Sequence, residues 1–313
     1  MATYKEIHGV NIQYRDSDAT AIEGDVWYNA FAAKLKMYAA AGSWASGNAI
    51  NTGRAHCGSS KNGTQSAAIL FGGYPPVGPV RSRLTEEYDG TNWTEVGDIN
   101  TGRSNSASFG TAAASIMASG SSRPGVHVAV VESWNGTGWT EIADVNSERR
   151  EVAGCGTSTA GLAIAGYTSA LVEKWNGASW TEVGDVNTAR ANLGGAGTST
   201  AALAFGGQPS DSTEEWDGSS WTEVAALNTA RMGTGNAGPT ATAVLLAGGT
   251  GGTDKTEVWN GTAWSEDATM GTGRTALKGA GTSVLAVVMS GQPAMTNTEE
   301  YSFATAVETI AFD

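Results

Sequence analysis

The sequence has little cysteine, proline and histidine, and it has fewer basic than acidic residues. Its 313 residues include 2 Cys, 7 Pro and 3 His. The two cysteines, Cys57 and Cys155, are too few for a disulfide framework and lack the spacing of a zinc site, so we expect two small buried thiols. The formal net charge is −13. This acidity argues against nucleic acid as a partner, because phosphates require a basic surface.

Long apolar runs and catalytic motifs are also absent. No run approaches the ~20 apolar residues of a membrane-spanning helix, and the N-terminal stretch lacks the apolar segment of a Sec signal peptide. We find no nucleophile elbow, phosphate-binding loop or zinc spacing, and His8, His56 and His127 are dispersed. Acidic pairs such as Glu86-Glu87 follow one another along a predicted strand and therefore point to opposite faces. We expect no enzymatic activity, no metal, no cofactor and no membrane insertion.

Glycine, in contrast, is abundant, and a unit of 41 to 49 residues repeats along the chain. Each unit is marked by a tryptophan that an arginine follows ten residues later, with an apolar residue between them. The tryptophans are Trp44, Trp93, Trp139, Trp180, Trp221 and Trp264. The arginines are Arg54, Arg103, Arg149, Arg190, Arg231 and Arg274.

Most units carry a hairpin signal just before the tryptophan. In WNGASW at 175–180, an aromatic residue precedes the tryptophan by five positions, and Asn-Gly lies between them. Asn-Gly and Asp-Gly favour the primed turns of β-hairpins. Upstream lies a short apolar run such as AALAFGG at 201–207, preceded by a stretch of small residues. Each unit therefore predicts four antiparallel strands, and tandem units of this kind predict a β-propeller.

The two ends of the chain predict how the ring closes. The last unit has three strands, through TEEYSF at 298–303, but lacks the turn and the tryptophan. Trp44 has the fourth-strand pattern without the preceding aromatic residue. We therefore predict six blades, with residues 43–50 forming the outer strand of the last blade beside Tyr301.

An alternative assignment has seven blades instead of six and includes the N-terminal segment in the ring. GDVWYN at 24–29 and KLKMY at 34–38 also resemble a hairpin, which would form a seventh, divergent blade. With six blades, residues 1–41 form an N-terminal hairpin or attachment segment, 42–305 form the propeller, and 306–313 form a C-terminal strand.

The order of glycine doublet, aromatic residue, tryptophan and arginine resembles the kelch repeat over roughly residues 42–305. The doublet is intact in three units, for example at Gly206-Gly207, and is a single glycine in the others. The segments GTSTAALAFGG, TEEWDGSSWTEV and NTAR are similar to the sequences of kelch-like propellers among structural proteins of marine bacteriophages. That resemblance implies a virion component on the tail fibre or the capsid surface. Kelch-like propellers also include copper oxidases, but the paired histidines and the cysteine beside a tyrosine that they require are missing here.

One face of the predicted ring is the candidate binding surface. Because strand direction alternates, the loops between second and third strands emerge on the same face as the connections from one blade to the next. Its two longest loops, residues 74–84 and 121–130, are neighbours. Loops on a rigid scaffold commonly carry function, although long surface loops are also tolerated as insertions. The candidate ligand-contacting residues are Tyr74, Arg81, Arg83, Arg123 and His127.

The ring of arginines is expected at the same face, with two roles open. The guanidinium groups could coordinate an anion or a glycan at the channel mouth, or bond backbone carbonyls of the adjoining blade; their recurrence with the fold favours the second.

Two functions of the protein also remain open. One is a virion component whose partners are other virion proteins, a host-surface glycan or receptor, or further copies of the chain. The other is a cytoplasmic kelch-type adaptor whose loop face binds a protein segment.

Overall fold

The computed structural model describes residues 13–15, 26–208, 210–292 and 296–309. It is an all-β, six-bladed propeller whose blades are four-stranded antiparallel sheets. The predicted fold and blade number are confirmed, and the N-terminal hairpin does not form a seventh blade. Within the described ranges the only helix is a 3-10 turn at Thr250–Gly252, and no helix there is long and apolar enough to cross a membrane.

The described residues form two compact units. The smaller contains residues up to Ser43 and from Ser302 onward, and the larger is the propeller, Trp44–Tyr301. Strand β1 pairs in parallel with β2, and β2 pairs in antiparallel with β3. Residues 1–12, 16–25 and 310–313 of the predicted terminal segments lie outside the described residues, and the predicted domain bounds stay a prediction. The three strands are β1 (Gln13–Arg15), β2 (Val26–Asn29) and β3 (Lys34–Gly47).

Five blades are continuous in sequence, with strands that follow one another from the channel outward. Blade 1 contains β4 (Gly58–Ser59), β5 (Ala68–Phe71), β6 (Thr85–Tyr88) and β7 (Trp93–Glu95). Blade 2 contains β8 (Ala107–Thr111), β9 (Ala114–Ala118), β12 (Val131–Trp134) and β13 (Trp139–Ile142), with a small hairpin of β10 (Ser121–Arg123) and β11 (Val126–His127) before β12. Blade 3 contains β14 (Ala153–Thr157), β15 (Ala160–Gly166), β16 (Ser169–Trp175) and β17 (Trp180–Val183). Blade 4 contains β18 (Gly194–Gly197), β19 (Ala202–Phe205), β20 (Thr213–Trp216) and β21 (Trp221–Val224). Blade 5 contains β22 (Gly235–Thr240), β23 (Ala243–Ala247), β24 (Thr256–Trp259) and β25 (Trp264–Asp267).

Blade 6 joins the two ends of the chain, as predicted. It contains β26 (Lys278–Gly281), β27 (Leu285–Met289), the start of β28 (Thr298–Thr309) and the end of β3. The indole N–H of Trp44 donates to Thr256 Oγ1 at 3.1 Å, and its ring lies 5.2 Å from that of Tyr301. The closing strand ends at Gly47 instead of reaching residue 50, because Ile50 turns inward and donates its N–H to the Thr296 carbonyl at 2.9 Å.

The core lies between successive blades. Each fourth-strand tryptophan spans the wedge to the preceding blade and donates its indole N–H there, as Trp139 does to Thr85 Oγ1 at 3.0 Å and Trp264 to Thr213 Oγ1 at 3.0 Å. A large flat ring fills this widening space, while its N–H finds a partner. The remaining acceptors are Thr298 Oγ1 for Trp93, the Ala143 carbonyl for Trp180, the Gly184 carbonyl for Trp221 and Thr256 Oγ1 for Trp44.

The innermost strands are built from small residues because neighbouring side chains occupy the space beside them. All four residues of β18, GGAG, are buried. A Cβ added to Gly194 would lie 2.1 Å from the ring of Phe205. Glycine therefore lets the strands approach one another around the channel.

Candidate functional site

The loop face is defined here as the side on which the second-to-third loops and the blade-to-blade connections emerge. Isolated β-bridges join these two kinds of segment, as between Ala55 and Tyr74 in blade 1 and between Ser104 and Ser121 in blade 2. Both predicted candidate loops therefore start beside the connection that enters their blade. The loop face is braced by backbone hydrogen bonds at its base.

The six ring arginines are buried beneath this face. Arg190 donates from Nη2 to Glu214 Oε1 at 2.6 Å and from Nη1 to the carbonyls of Gly206 and Ser212 at 3.0 and 2.6 Å. Burial lowers the pKa of Arg190, and the Glu214 carboxylate opposes that shift, so the guanidinium stays charged. Each arginine pairs with a glutamate on the third strand of the next blade. The pairs are Arg54–Glu86, Arg103–Glu132, Arg149–Glu173, Arg190–Glu214, Arg231–Glu257 and Arg274–Glu299.

The paired glutamates are the residues that reasoning from sequence missed. Glu214 also accepts hydrogen bonds on Oε2 from the backbone N–H and the side-chain amide of Asn187, at 2.7 and 2.8 Å. A glutamate stands two residues before the third-strand aromatic in every unit, and that recurrence was the available signal. The ion pairs therefore join the connections to the blades. The Nε atom of each ring arginine is buried and has no hydrogen-bond partner among the described residues, but burial beneath the face keeps the guanidinium groups away from an external ligand.

The loop of blade 1 presents an aromatic ring supported by a buried cation. The Arg81 guanidinium lies 4.3 Å from the centre of the Tyr74 ring and donates to the Pro79 carbonyl at 3.4 Å. Arg81 is only 7% exposed, whereas Tyr74 is 36% exposed. Arg83 is exposed, and its Nε donates to the Ile99 carbonyl at 2.9 Å. Arg81 therefore positions Tyr74 and does not present its own charge to solvent.

The loop of blade 2 carries the other two predicted residues on its small hairpin. Arg123 lies opposite Val126, and Ser121 lies opposite His127. Arg123 is exposed and His127 is half-buried. Within the described ranges the Arg123 guanidinium has no hydrogen-bond or ion-pair partner, and no such contact links this hairpin to Tyr74, Arg81 or Arg83.

Blade 3 adds a similar pair that loop length did not reveal. The Arg150 guanidinium lies 4.1 Å from the centre of the Tyr167 ring, and Tyr167 is 48% exposed. Tyr167 lies on a short second-to-third loop, and Arg150 lies on the connection that enters blade 3. A tyrosine directly after the glycine that ends the second strand, as in GGY at 72–74 and AGY at 165–167, was the signal.

These three consecutive blades concentrate exposed apolar and cationic groups. We call this surface the aromatic–arginine arc; it consists of Tyr74, Val77, Val80, Arg123, Val126 and Tyr167. Tyr74 also borders a groove of about 770 Å³ on the loop face, whose lining includes Pro75, Pro76, Gly251 and Gly252.

Metal-binding or thiol chemistry has no visible site in the described part of the chain. No group of three or more His, Cys, Asp or Glu there could hold a metal ion. Cys57 and Cys155 are buried and free, and burial raises the pKa of Cys155 to about 12, so its thiol stays protonated near neutral pH.

No protein-family model matches this chain, and no curated protein matches its sequence.

Proposed function

We propose that this protein is a non-enzymatic binding module whose partner contacts the aromatic–arginine arc. The observation that carries the proposal is the placement of Tyr74, Arg123 and Tyr167 on loops of three consecutive blades, exposed and held by a rigid sheet framework. Tyrosine and arginine are the residues that most often dominate binding energy at interfaces. Exposed aromatic rings pre-positioned by guanidinium groups also lose little entropy on binding.

The setting proposed is a virion, with the protein on the tail fibre or capsid surface, and the proposed ligand is a host-surface glycan. The resemblance of the repeat sequences to those of kelch-like phage proteins supports the virion location. The chemistry of the arc supports the ligand, because the open faces of Tyr74 and Tyr167 can stack on the apolar faces of sugar rings. Arg123, free of ion pairs among the described residues, can donate two parallel hydrogen bonds to a sugar carboxylate or phosphate.

A cellular adaptor that binds a protein segment is the second candidate. Val77 and Val80 are 85% and 75% exposed, and together with Val126 they favour an apolar side chain of a protein partner over a sugar. The two candidates share the same surface and differ in ligand and location.

The binding proposal is tested on a glycan array with the parent protein and two variants, Arg123→Ala and Tyr167→Ala. Both side chains are exposed, so neither change is expected to affect folding. We expect each variant to lose about tenfold or more in glycan affinity. Leu285→Ala removes an apolar side chain of similar exposure from the opposite face and serves as the control. Equal binding by the parent and both arc variants would exclude the arc as the contact surface.

The virion setting is tested separately by mass spectrometry of purified particles. Detection of the chain in particles at a constant ratio to the major capsid protein is the expected result. Absence from particles, together with copurification of a cellular protein whose binding Tyr167→Ala abolishes, would replace the virion proposal with the adaptor.

A further inference from the structure

A ring of six residues, one from each blade, surrounds the mouth of the central channel. Each stands two positions after a ring arginine and has a left-handed backbone, with φ between 54° and 64°. The members are His56, Asn105, Glu151, Asn192, Gly233 and Ala276.

The backbones of these residues form a closed circle of hydrogen bonds. Each N–H donates to the carbonyl of its counterpart in the preceding blade, over N···O distances of 2.6 to 3.1 Å, and His56 completes the circle by donating to Ala276 at 3.1 Å. Every amide and carbonyl of the circle is therefore engaged. A ligand at the channel mouth must be recognised by side chains.

A cavity of about 20 Å³ adjoins this ring, and its lining includes Lys61, Lys278 and Asn192. A space of this size holds one water molecule or one monatomic ion. It excludes sugars, nucleotides and peptides, so it is separate in chemistry from the aromatic–arginine arc.

Two lysines line the cavity, and neither has a carboxylate partner among the described residues. The Lys61 ammonium donates to the carbonyls of Gly154 and Gly195 at 3.1 and 3.4 Å. The Lys278 ammonium has no hydrogen-bond or ion-pair partner among the residues that the structure describes. Among the described residues of the lining, the carboxylate is that of Glu151, which is already paired with Arg150 Nε at 3.3 Å.

An ammonium group without a counter-charge is unfavourable where water has little access, and its pKa falls. Lys61 is buried and Lys278 is half-buried. Burial, reinforced by the charge of Lys278, lowers the pKa of Lys61 to about 7. Burial also lowers the pKa of Lys278. Burial lowers the pKa of His56 to about 4, and the charges of Lys278 and Arg81 act in the same direction. Together they outweigh the hydrogen bond that the imidazole donates to Asn105, so His56 is neutral near pH 7. An anion inside the cavity would supply the missing counter-charge.

We propose that the cavity at the channel mouth binds one small inorganic anion of halide size, with the ammonium groups of Lys278 and Lys61 and the Asn192 amide as donors. Asn192 has no side-chain hydrogen bond within the described ranges, so its N–H groups are available.

The first test is thermal unfolding at pH 6.5 in sodium bromide or sodium chloride and in sodium gluconate of equal ionic strength. We expect halide to raise the Tm of the parent protein, because a ligand that binds only the folded state stabilises it. Lys278→Met should lose this halide-dependent shift, with an apparent halide affinity lower by about tenfold or more. In gluconate, Lys278→Met should melt no lower than the parent, because the substitution removes an unpaired charge and keeps the apolar stem.

The control is Lys255→Met, which removes the same charge from an exposed ion pair with Glu266. It should keep the full halide-dependent shift. Bromide-soaked crystals of the parent should show an anomalous peak in the cavity beside Lys278 Nζ. A cavity without that peak, or an equal halide shift in parent and Lys278→Met, would overturn the proposal.

Discussion

Glu214→Gln tests the buried ring of ion pairs most directly. Glu214 Oε1 accepts from Arg190 Nη2 at 2.6 Å, and Oε2 accepts from the backbone and side-chain N–H groups of Asn187 at 2.7 and 2.8 Å. Glutamine has the same shape, so the change creates no cavity. It removes the counter-charge of Arg190, which is 1% exposed, and replaces one accepting oxygen with a donor that opposes another donor.

The expected magnitude follows from the cost of leaving a buried charge without its partner, about 3–5 kcal/mol. For a chain of 313 residues, an unfolding entropy of about 2.1 cal/mol/K per residue amounts to about 0.7 kcal/mol/K. The Tm should therefore fall by about 5–8 °C. Scanning calorimetry of parent and variant at one scan rate measures this shift, since comparisons across scan rates mix stability with kinetics.

The neighbouring residue provides the matched control. Glu215 is next on the same strand, faces the other way, and forms no ion pair within the described ranges. Glu215→Gln should change stability by less than about 0.5 kcal/mol. The double variant Arg190→Met/Glu214→Gln should recover part of the loss, because it removes the unpaired charge. A Tm for Glu214→Gln within about 1 °C of the parent, or an equal loss in Glu215→Gln, would refute the reasoning.

Three further predictions concern ring closure, a glycine and the channel lysine. Trp44→Ala should lower the free energy of unfolding by about 3 kcal/mol, measured by urea denaturation; an unchanged midpoint would contradict closure through this residue. Gly206→Ala should cost about 2 kcal/mol by the same measurement, because φ is 62° and the new Cβ would lie 2.6 Å from the Arg231 carbonyl, whereas Gly78→Ala, at φ 90° with no atom within 4 Å, should cost less. In halide-free buffer, stability should rise from pH 7 to 9, because the pKa of Lys61 falls from 10.5 unfolded to about 7 folded, so the unfolded chain binds the extra proton; Lys61→Met should flatten this rise in Tm.

Much of the fold was predictable because its determinants are local and repeated. Asn-Gly and Asp-Gly turns specify hairpins within a few residues, and WNGASW at 175–180 forms the predicted pairing of Trp175 with Trp180. The missing fourth strand at one end and the unmatched Trp44 at the other predicted closure, since a ring of equivalent blades allows one way to complete the last sheet. Because the unit repeats, each of these inferences rests on several copies of the same sequence pattern.

The candidate site was predictable only in part, because side-chain direction depends on neighbours distant in sequence. Tyr74 is exposed, but Arg81 folds beneath its ring. In blade 3, Tyr167 lies on a short second-to-third loop, and Arg150 reaches its ring from the connection that enters the blade. A loop's sequence shows which groups it carries. Packing against the underlying sheet decides which of them solvent reaches.

The sequence by itself determined the four strands of each blade, their pairing and the tryptophan wedges, because these follow from turn chemistry and a regular apolar period. Only the tertiary structure decided what meets at the channel. Lys61 bonds carbonyls 93 and 134 residues away, and one residue from every blade joins the circle of backbone hydrogen bonds. These contacts exist only after the ring has closed, since closure brings six distant connections to a common axis.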